Sequence, residues 1–469
     1  MASWNNPHRS PSAPPVRSTG HGVVGQTSRS KTTPRPRFWQ RLRADANWKW
    51  LTPGIGVKRW VVLFLFGVTL ISLGLGFVLV DIYRSAELPG VTYYLTLQFL
   101  PRLERALVVG AVGVTALSIA AYKLSQSILS PFTRPGGKPV AQALVEHRQR
   151  ERGPKVVAIG GGTGLSTLLR GLKHYTSNIT AIVTVADDGG SSGRLRRELG
   201  TLPPGDFRNC LAALADDESL TTQLFQYRFA PAQKDLDGHA LGNLFITAMA
   251  DLSGSFEQAL IESSRVLAIT GRILPSTLND VTLCAEVRNG HQLEHVEGES
   301  AITHFGGAIE RVYLQPDHVR AYPETIRAIL DADLIVLGPG SLYTSILPNL
   351  LITSLPEALR ASRALKLYVC NVATQHGETD GYTVHDHVTA LEKHIGPNII
   401  DVVLSNVRTD VKWVNAPEGV GEIVHALTLD GPPRITAADV IDEAQPWRHD
   451  SAKLAQAVMQ TYHDMLWGE

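Results

Sequence analysis

The chain has 469 residues, long enough for one large core and an accessory region, and its formal net charge is zero. That balance hides an asymmetry: up to Arg59 eleven Lys and Arg face one acid, Asp45, leaving 33 basic and 43 acidic residues for the remainder. A mildly acidic body argues against nucleic acid as its partner, and three scattered cysteines, Cys210, Cys284 and Cys370, show neither CxxC nor zinc-site spacing. They read as small core residues of a reducing compartment.

Residues 1–57 are rich in Ser, Thr, Pro, Gly and Arg without a hydrophobic period, and read as a disordered basic tail. Trp60–Val80 then runs without a charge between Arg59 and Asp81, enough at ~1.5 Å per residue to cross a hydrocarbon core of about 30 Å. A second, shorter uncharged run, Ala106–Tyr122, lies between Arg105 and Lys123. Pro89-Gly90 and Tyr93-Tyr94 between them are turn and interface residues. Basic residues before the first run (Lys58, Arg59) and after the second (Lys123, Arg134, Lys138, Arg148, Arg150, Arg152) put both ends on the cytoplasmic side. Residues 58–124 are therefore expected to form a two-helix transmembrane hairpin, with the tail facing lipid from the cytoplasm. Residues 125–153, with Pro131, Pro135, Gly136 and Gly137 and then a charged stretch, read as a linker.

From Lys155 the texture changes to β-branched runs alternating with helical patterns, one α/β domain over 154–469. Candidate strands are Val156–Ile159, Ile179–Val185, Leu334–Leu337, Leu367–Cys370 and Ile400–Ser405, near-continuous apolar runs that suit parallel strands covered on both faces. Helical patterns over Ser166–Tyr175 and Pro323–Asp331 suit crossovers. Alternation over Val281–Arg288, the run Ile309–Leu314 and the turns Asn289-Gly290 and Gly306-Gly307 predict a small antiparallel insertion within 256–315. Leu454, Val458, Tyr462 and Leu466 recur every four residues after Ser451, predicting an amphipathic closing helix capped by that serine.

The chemistry sits in the turns. The first strand ends in Gly160-Gly161-Gly162-Thr163-Gly164-Leu165-Ser166-Thr167 and enters a helix, so backbone N–H groups and the helix N-terminus attract an anion. No Lys follows the last glycine, which excludes a P-loop, and Leu165 stands where a dinucleotide fingerprint needs its third glycine, which argues against an NAD(P) oxidoreductase. The second strand ends in Asp187-Asp188-Gly189-Gly190-Ser191-Ser192-Gly193-Arg194. Paired carboxylates Asp187 and Asp188 suit Mg²⁺ beside a pyrophosphate, with Ser191, Ser192 and Arg194 on phosphate oxygens. Further polar turns carry Asp206 and Asn209 in Pro203–Asn209, His239 and Asn243 in Gly238–Asn243, and Gly340, Ser341 and Thr344 in Gly338–Ser345, a second anion-type turn. His239 reads equally well as a helix-start histidine satisfied by backbone. The polar segments Gly160–Ser166, Asp187–Arg194, Gly338–Ser345 and Asn371–Thr379 follow four strands in turn. In an open parallel sheet they converge on one edge, where ligands bind. Core packing has no need of that arrangement; a phosphorylated ligand does.

The segments GGGTGLS, VADDGGSSGRLR, PPGDFRN, HALGN, LGPGSLYTSILPN, CNVATQHGET and GYTVHDH, in this order from Lys155 to the C-terminus, resemble the YvcK-like (gluconeogenesis factor) branch of the CofD family, related to the 2-phospho-L-lactate transferases. The resemblance implies a doubly wound Rossmann-like, mostly parallel α/β fold. It implies a bacterial protein that binds UDP-sugars such as UDP-N-acetylglucosamine and serves cell-shape and cell-wall homeostasis on gluconeogenic carbon sources. By the same resemblance Tyr382 in GYTVHDH and Arg448 in Trp447-Arg448-His449-Asp450 match UDP-sugar contacts, as a stacking ring and a pyrophosphate clamp. With the Gly161–Gly164 turn and Asn371 they complete the expected ligand set. Soluble members of that branch start at the Gly-rich strand, so the hairpin reads as an addition that places the site at the inner membrane, with both termini cytoplasmic. Cell-wall or carbon-metabolism proteins and a second copy of the chain are the expected macromolecular partners. The competing reading is an enzyme, a Mg²⁺-dependent transferase acting on a nucleotide diphosphate. No Ser–His–Asp or Cys–His constellation supports hydrolysis.

Overall fold

The computed structural model describes residues 57–85, 90, 94, 97, 99–129, 140–215, 218–230, 236–411, 416–417, 419–425 and 432–468. The basic tail up to residue 56 and the Pro131, Pro135, Gly136 and Gly137 part of the expected linker lie outside them. The chain divides into two compact units, Met1–Val114 and Thr115–Glu469.

Two apolar helices, Val57–Ser85 and Arg102–Leu129, dominate the described part before residue 130. Val62–Ile82 and Leu103–Ala120, with mean hydropathy 2.5 and 1.6, are long and apolar enough to span a membrane, and none of either stretch is buried. Phe64, Phe66, Ile71 and Phe77 on the first, and Leu103, Val112 and Val114 on the second, are more than half exposed. Side chains of that kind are costly in water and at home in lipid. The end of the stretch read as linker is ordered: Val140–Glu151 is a helix. Its C-terminal carbonyls are taken up by the α/β unit, through Ser177 N–H to Arg150 O (3.0 Å) and Asn178 Nδ2 to Glu151 O (2.9 Å).

Twelve strands follow in chain order: β1 Val156–Gly160, β2 Ile179–Val183, β3 Arg272–Pro275, β4 Thr282–Asn289, β5 Gln292–Glu297, β6 Ala308–Gln315, β7 Leu334–Leu337, β8 Leu365–Val369, β9 Ala373–Gln375, β10 Val402–Asn406, β11 Val420–Ile423 and β12 Arg434–Ala438. Seven form one parallel sheet in the order β12-β10-β8-β7-β1-β2-β3. Chain order runs outward from β1 to β3 on one side and from β7 to β12 on the other. The switch point of this doubly wound sheet therefore lies between β1 and β7, with Val156 paired to both Ile179 and Leu334. The central strands β1, β2, β7 and β10 are buried at every position. On one face they are covered by the helix Gly162–Leu172, whose Leu165, Leu168, Leu169 and Leu172 recur at helical spacing and are fully buried.

Three expectations need correction. Only β4, β5 and β6 form the antiparallel insertion; the earlier part of 256–315 is a helix, Phe256–Val266, and the parallel edge strand β3. The edge strands β3 and β12 escape a pattern search because one face meets solvent, and their sequences Arg-Ile-Leu-Pro and Arg-Ile-Thr-Ala-Ala carry no continuous apolar run. The closing helix Ser451–Trp467 is capped by Asp450, which accepts the N–H groups of Ala452 (2.9 Å) and Lys453 (2.8 Å), and Leu466 is exposed while Leu454, Val458 and Tyr462 face the core. Gly171 admits this helix: a methyl group there would overlap the Ser451 carbonyl and come within 2.6 Å of Ala455 Cβ. The three cysteines are buried free thiols.

Candidate functional site

A cleft of about 500 Å³ opens at the carboxyl ends of β1 and β7, at the switch point. Its floor is the turn after β1. Gly161 caps the helix Gly162–Leu172 with no side-chain partner, Gly162 takes φ +63°, and the first helical turn lines the cleft. Gly164 sits where a methyl group would lie 2.5 Å from Pro339 O, so the two turns touch backbone to backbone. The turn after β7 is held in place by Asn371, whose Oδ1 accepts the Gly340 N–H (3.3 Å). Ser341 caps the π-helical turn Leu342–Ile346 by accepting the Thr344 N–H (3.2 Å). Behind both, Asn349 Nδ2 donates to Gly160 O (3.1 Å) and Ser345 O (2.8 Å).

Of the residues expected at a ligand, Gly161, Gly162, Thr163, Gly164, Gly340, Ser341, Thr344, Asn371 and Arg448 line this one cleft. Arg448 is exposed, and its guanidinium has no ion-pair or hydrogen-bond partner among the described residues. Asp206 lies beneath the first turn. A methyl group on Gly161 would meet its Oδ2 at 2.5 Å, and its carboxylate accepts the Gly162 N–H.

The others are spent elsewhere. Asp188 Oδ1 accepts from Ser300 N (2.9 Å) and Ser300 Oγ (2.8 Å), tying the β2 turn to the insertion, while Asp187 Oδ1 accepts the Gly189 N–H (2.9 Å). The pair expected to share a magnesium ion thus faces different neighbours, and no three metal-ligating groups converge among the described residues. Ser191 Oγ bonds His239 Nδ1 (3.0 Å) and accepts from Asn243 Nδ2 (3.0 Å), a buried network away from the cleft. Ser192 is buried against Asp187, and Arg194 donates to Asp237 O. Asn209 Oδ1 accepts from Arg208 (3.0 Å) and Gln226 (2.9 Å). Tyr382 does not line the cleft; its hydroxyl bonds that of buried Tyr343 (2.8 Å), and its ring packs edge-on to His387.

Sequence reasoning missed Glu299, Glu378, Trp447, His449 and the ribbon of β9 and β11, all in the cleft wall. Glu378 and Trp447 stand in motifs singled out above, beside residues that were chosen. Glu299 comes from the helix Glu299–Phe305, which joins β5 to β6 within the insertion, and carried no local signal. Glu378 accepts the Ser341 hydroxyl and Thr344 Oγ1 (3.4 Å). Burial raises the Glu378 and Asp187 carboxyls above their ordinary values, against the pull of hydroxyl and N–H donors. Burial, then the Asp187 charge, pushes Asp206 up to about 7, and burial followed by Asp187, Asp206 and Glu378 raises Glu299 well above the usual range. Arg208 is the cation facing this cluster, and burial lowers its own pKa. The site therefore sets anion-type N–H donors beside carboxyl groups that resist ionisation.

The family described as 2-phospho-L-lactate transferase CofD matches residues 156–465. The chain is 44% identical to a relative from Nostoc sp. over 94% of this chain and 96% of that one. It is 54% identical to the gluconeogenesis factor of Bacillus subtilis over 54% of this chain and 78% of that protein. Among solved structures, the crystal structure of a UPF0052 family member from Bacillus halodurans superposes with a TM-score of 0.59 at 43% identity, over 65% of this chain and 99% of that one. The Nostoc match reaches well into the residues before the Gly-rich strand, so that region is shared with a relative rather than added in this chain alone. With the α/β unit matched from β1 to the closing helix, the chain belongs to the CofD family, in its gluconeogenesis-factor (YvcK-like) branch.

Proposed function

We propose that this chain is a membrane-anchored, cytoplasm-facing binder of UDP-sugars of the UDP-N-acetylglucosamine type, acting as a regulator of cell shape and cell-wall homeostasis. The observation that carries the reading is the convergence of two donor-bearing turns, Gly161–Gly164 and Gly340–Thr344, in one cleft at the switch point, with the unpaired Arg448 in its wall. A diphosphate suits that set: backbone N–H groups take one phosphate, and a guanidinium clamps the other. The two apolar helices and the basic residues flanking them support the anchor.

A second reading has one observation in its favour. The family matched over residues 156–465 is described as a transferase, and in such an enzyme a divalent ion would neutralise the charge of the acids Asp187, Asp206, Glu299 and Glu378, no three of which converge as ligands among the described residues. Asp187 and Asp188 bond different neighbours, and no chemical step is assigned to that ion.

Three measurements follow. The full chain should stay in the membrane pellet through alkaline carbonate washing, and a variant lacking residues 57–129 should become soluble; a full chain released by carbonate alone contradicts the anchor. Titration calorimetry of the full chain in detergent should give micromolar binding of UDP-N-acetylglucosamine, weakened about tenfold to hundredfold by Arg448→Ala because a charge-assisted pair is worth roughly 1.5–3 kcal/mol. The ligand should be intact afterwards; release of UMP or UDP, or binding of GDP alone, moves the assignment to the transferase. The third concerns pH. Asp206, raised to about 7, competes with the ligand's anion for the Gly162 N–H once it ionises. With metal chelated, affinity should fall as pH rises through 6 to 8 by about tenfold or less per unit, and Asp206→Asn should flatten that slope. An unchanged slope in the variant removes Asp206 from the site.

A further inference from the structure

The lining of the cleft combines two chemically different surfaces. One is the donor-rich floor of the two glycine turns. The other wall is built from the ribbon of β9 and β11, with Val372, Ala373, Pro417 and Val420, and from Trp447. Trp447 is half-buried, and its indole has no ring partner and no hydrogen-bond partner among the described residues. An aromatic surface of this size left unpartnered beside apolar side chains in a concave wall is what a planar ring ligand needs, since ring stacking is tolerant of base identity.

The loop that carries Trp447 is built to display it. Residues 441–449 close on themselves through the antiparallel bridge Ile441–His449, Asp442 N–H to Arg448 O (3.0 Å) and Arg448 N–H to Gln445 O (2.8 Å). Asp442 Oδ1 takes the Ala444 N–H (2.8 Å) and the Gln445 N–H (3.3 Å). Outside the loop, Lys453 Nζ ties Ile441 O (3.1 Å) to Glu443 (3.1 Å) and Asp439 (3.1 Å), and Arg408 pairs with Glu443 (2.8 Å). The charges bracing the loop are thus matched, and its backbone is fixed by its own hydrogen bonds. Among the described residues the side chains of Trp447 and Arg448 are left without partners, and both line the cleft. A platform held this way loses little freedom when a ring lands on it.

We infer that Trp447 is the platform on which the nucleobase of the bound nucleotide sugar stacks, beside the apolar residues of the β9–β11 ribbon, so that the ligand runs from a base at Trp447 past Arg448 to phosphates at the Gly161–Gly164 turn. This rests on the nucleotide-sugar reading above and adds the direction in which the ligand lies and the residue that recognises its base.

The full chain in detergent, wild type, Trp447→Ala and Trp447→Phe, is titrated with UDP-N-acetylglucosamine, UDP and N-acetylglucosamine 1-phosphate. Trp447→Ala should lose about tenfold to hundredfold in affinity for both uridine nucleotides and Trp447→Phe less than about fivefold, while the sugar phosphate binds all three proteins within about twofold. The emission that wild type has and Trp447→Phe lacks should be quenched by UDP and left unchanged by the sugar phosphate, a readout that survives if the alanine variant is poorly folded. Wild-type affinity for UDP in Trp447→Ala, equal losses for nucleotide and sugar phosphate, or an unquenched difference spectrum would each overturn the assignment. Failure of wild type to bind any uridine nucleotide would instead sink the nucleotide-sugar reading itself, and the platform with it.

Discussion

Two backbone turns touch at the switch point of the sheet, and most of what is distinctive about this fold serves that contact. The first connects β1 to its helix, the second follows β7, and Gly164 meets Pro339 with no space for a methyl group between them. Asn349 bonds the carbonyls of Gly160 and Ser345 from behind, and Asn371 holds Gly340 from the side. Because the turns are packed against each other and held by Asn349, Asn371 and Asp206, their remaining N–H groups are fixed before any ligand arrives. That is preorganisation in the simplest sense: the donors do not have to be gathered at the moment of binding.

The same contact creates an electrostatic problem that the carboxyls resolve in an unusual way. Asp206 takes the Gly162 N–H, a donor that a phosphate would also claim, and Glu299 and Glu378 look into the same cleft. If all were ionised they would repel an anionic ligand by several kcal/mol at short range. Burial raises each of them, Asp206 to about 7, which eases that repulsion. The arrangement would couple the charge of an anionic ligand to protonation of these acids.

The parallel strands legible in the sequence were those with both faces covered, β1, β2, β7, β8 and β10, because continuous apolar runs suit strands buried on both sides. The edge strands β3 and β12 were illegible for the converse reason. At the site, the turns could be read because glycine next to a strand end is a backbone requirement visible in one dimension. Side chains were harder. Asp188, Arg194 and His239 look like ligand contacts by type, yet a carboxylate that ties one turn to another and a histidine that fixes a serine have the same composition as a binding site. Glu299 reaches the cleft only through the fold of the insertion, and Trp447 only because its loop closes on its own hydrogen bonds and leaves the indole bare. Family resemblance named Tyr382, and the structure instead sets its hydroxyl on Tyr343.

The central claim is that a diphosphate occupies the contact between the two turns. A crystal structure of the protein with UDP-N-acetylglucosamine addresses it most directly. The account predicts phosphate oxygens within hydrogen-bonding distance, about 2.7–3.2 Å, of N–H groups in Gly162–Gly164 and of the Gly340–Ser341 turn. A ligand seated elsewhere, for example in the separate cavity lined by Leu195, Leu244 and Phe256, with the two turns untouched, would contradict it.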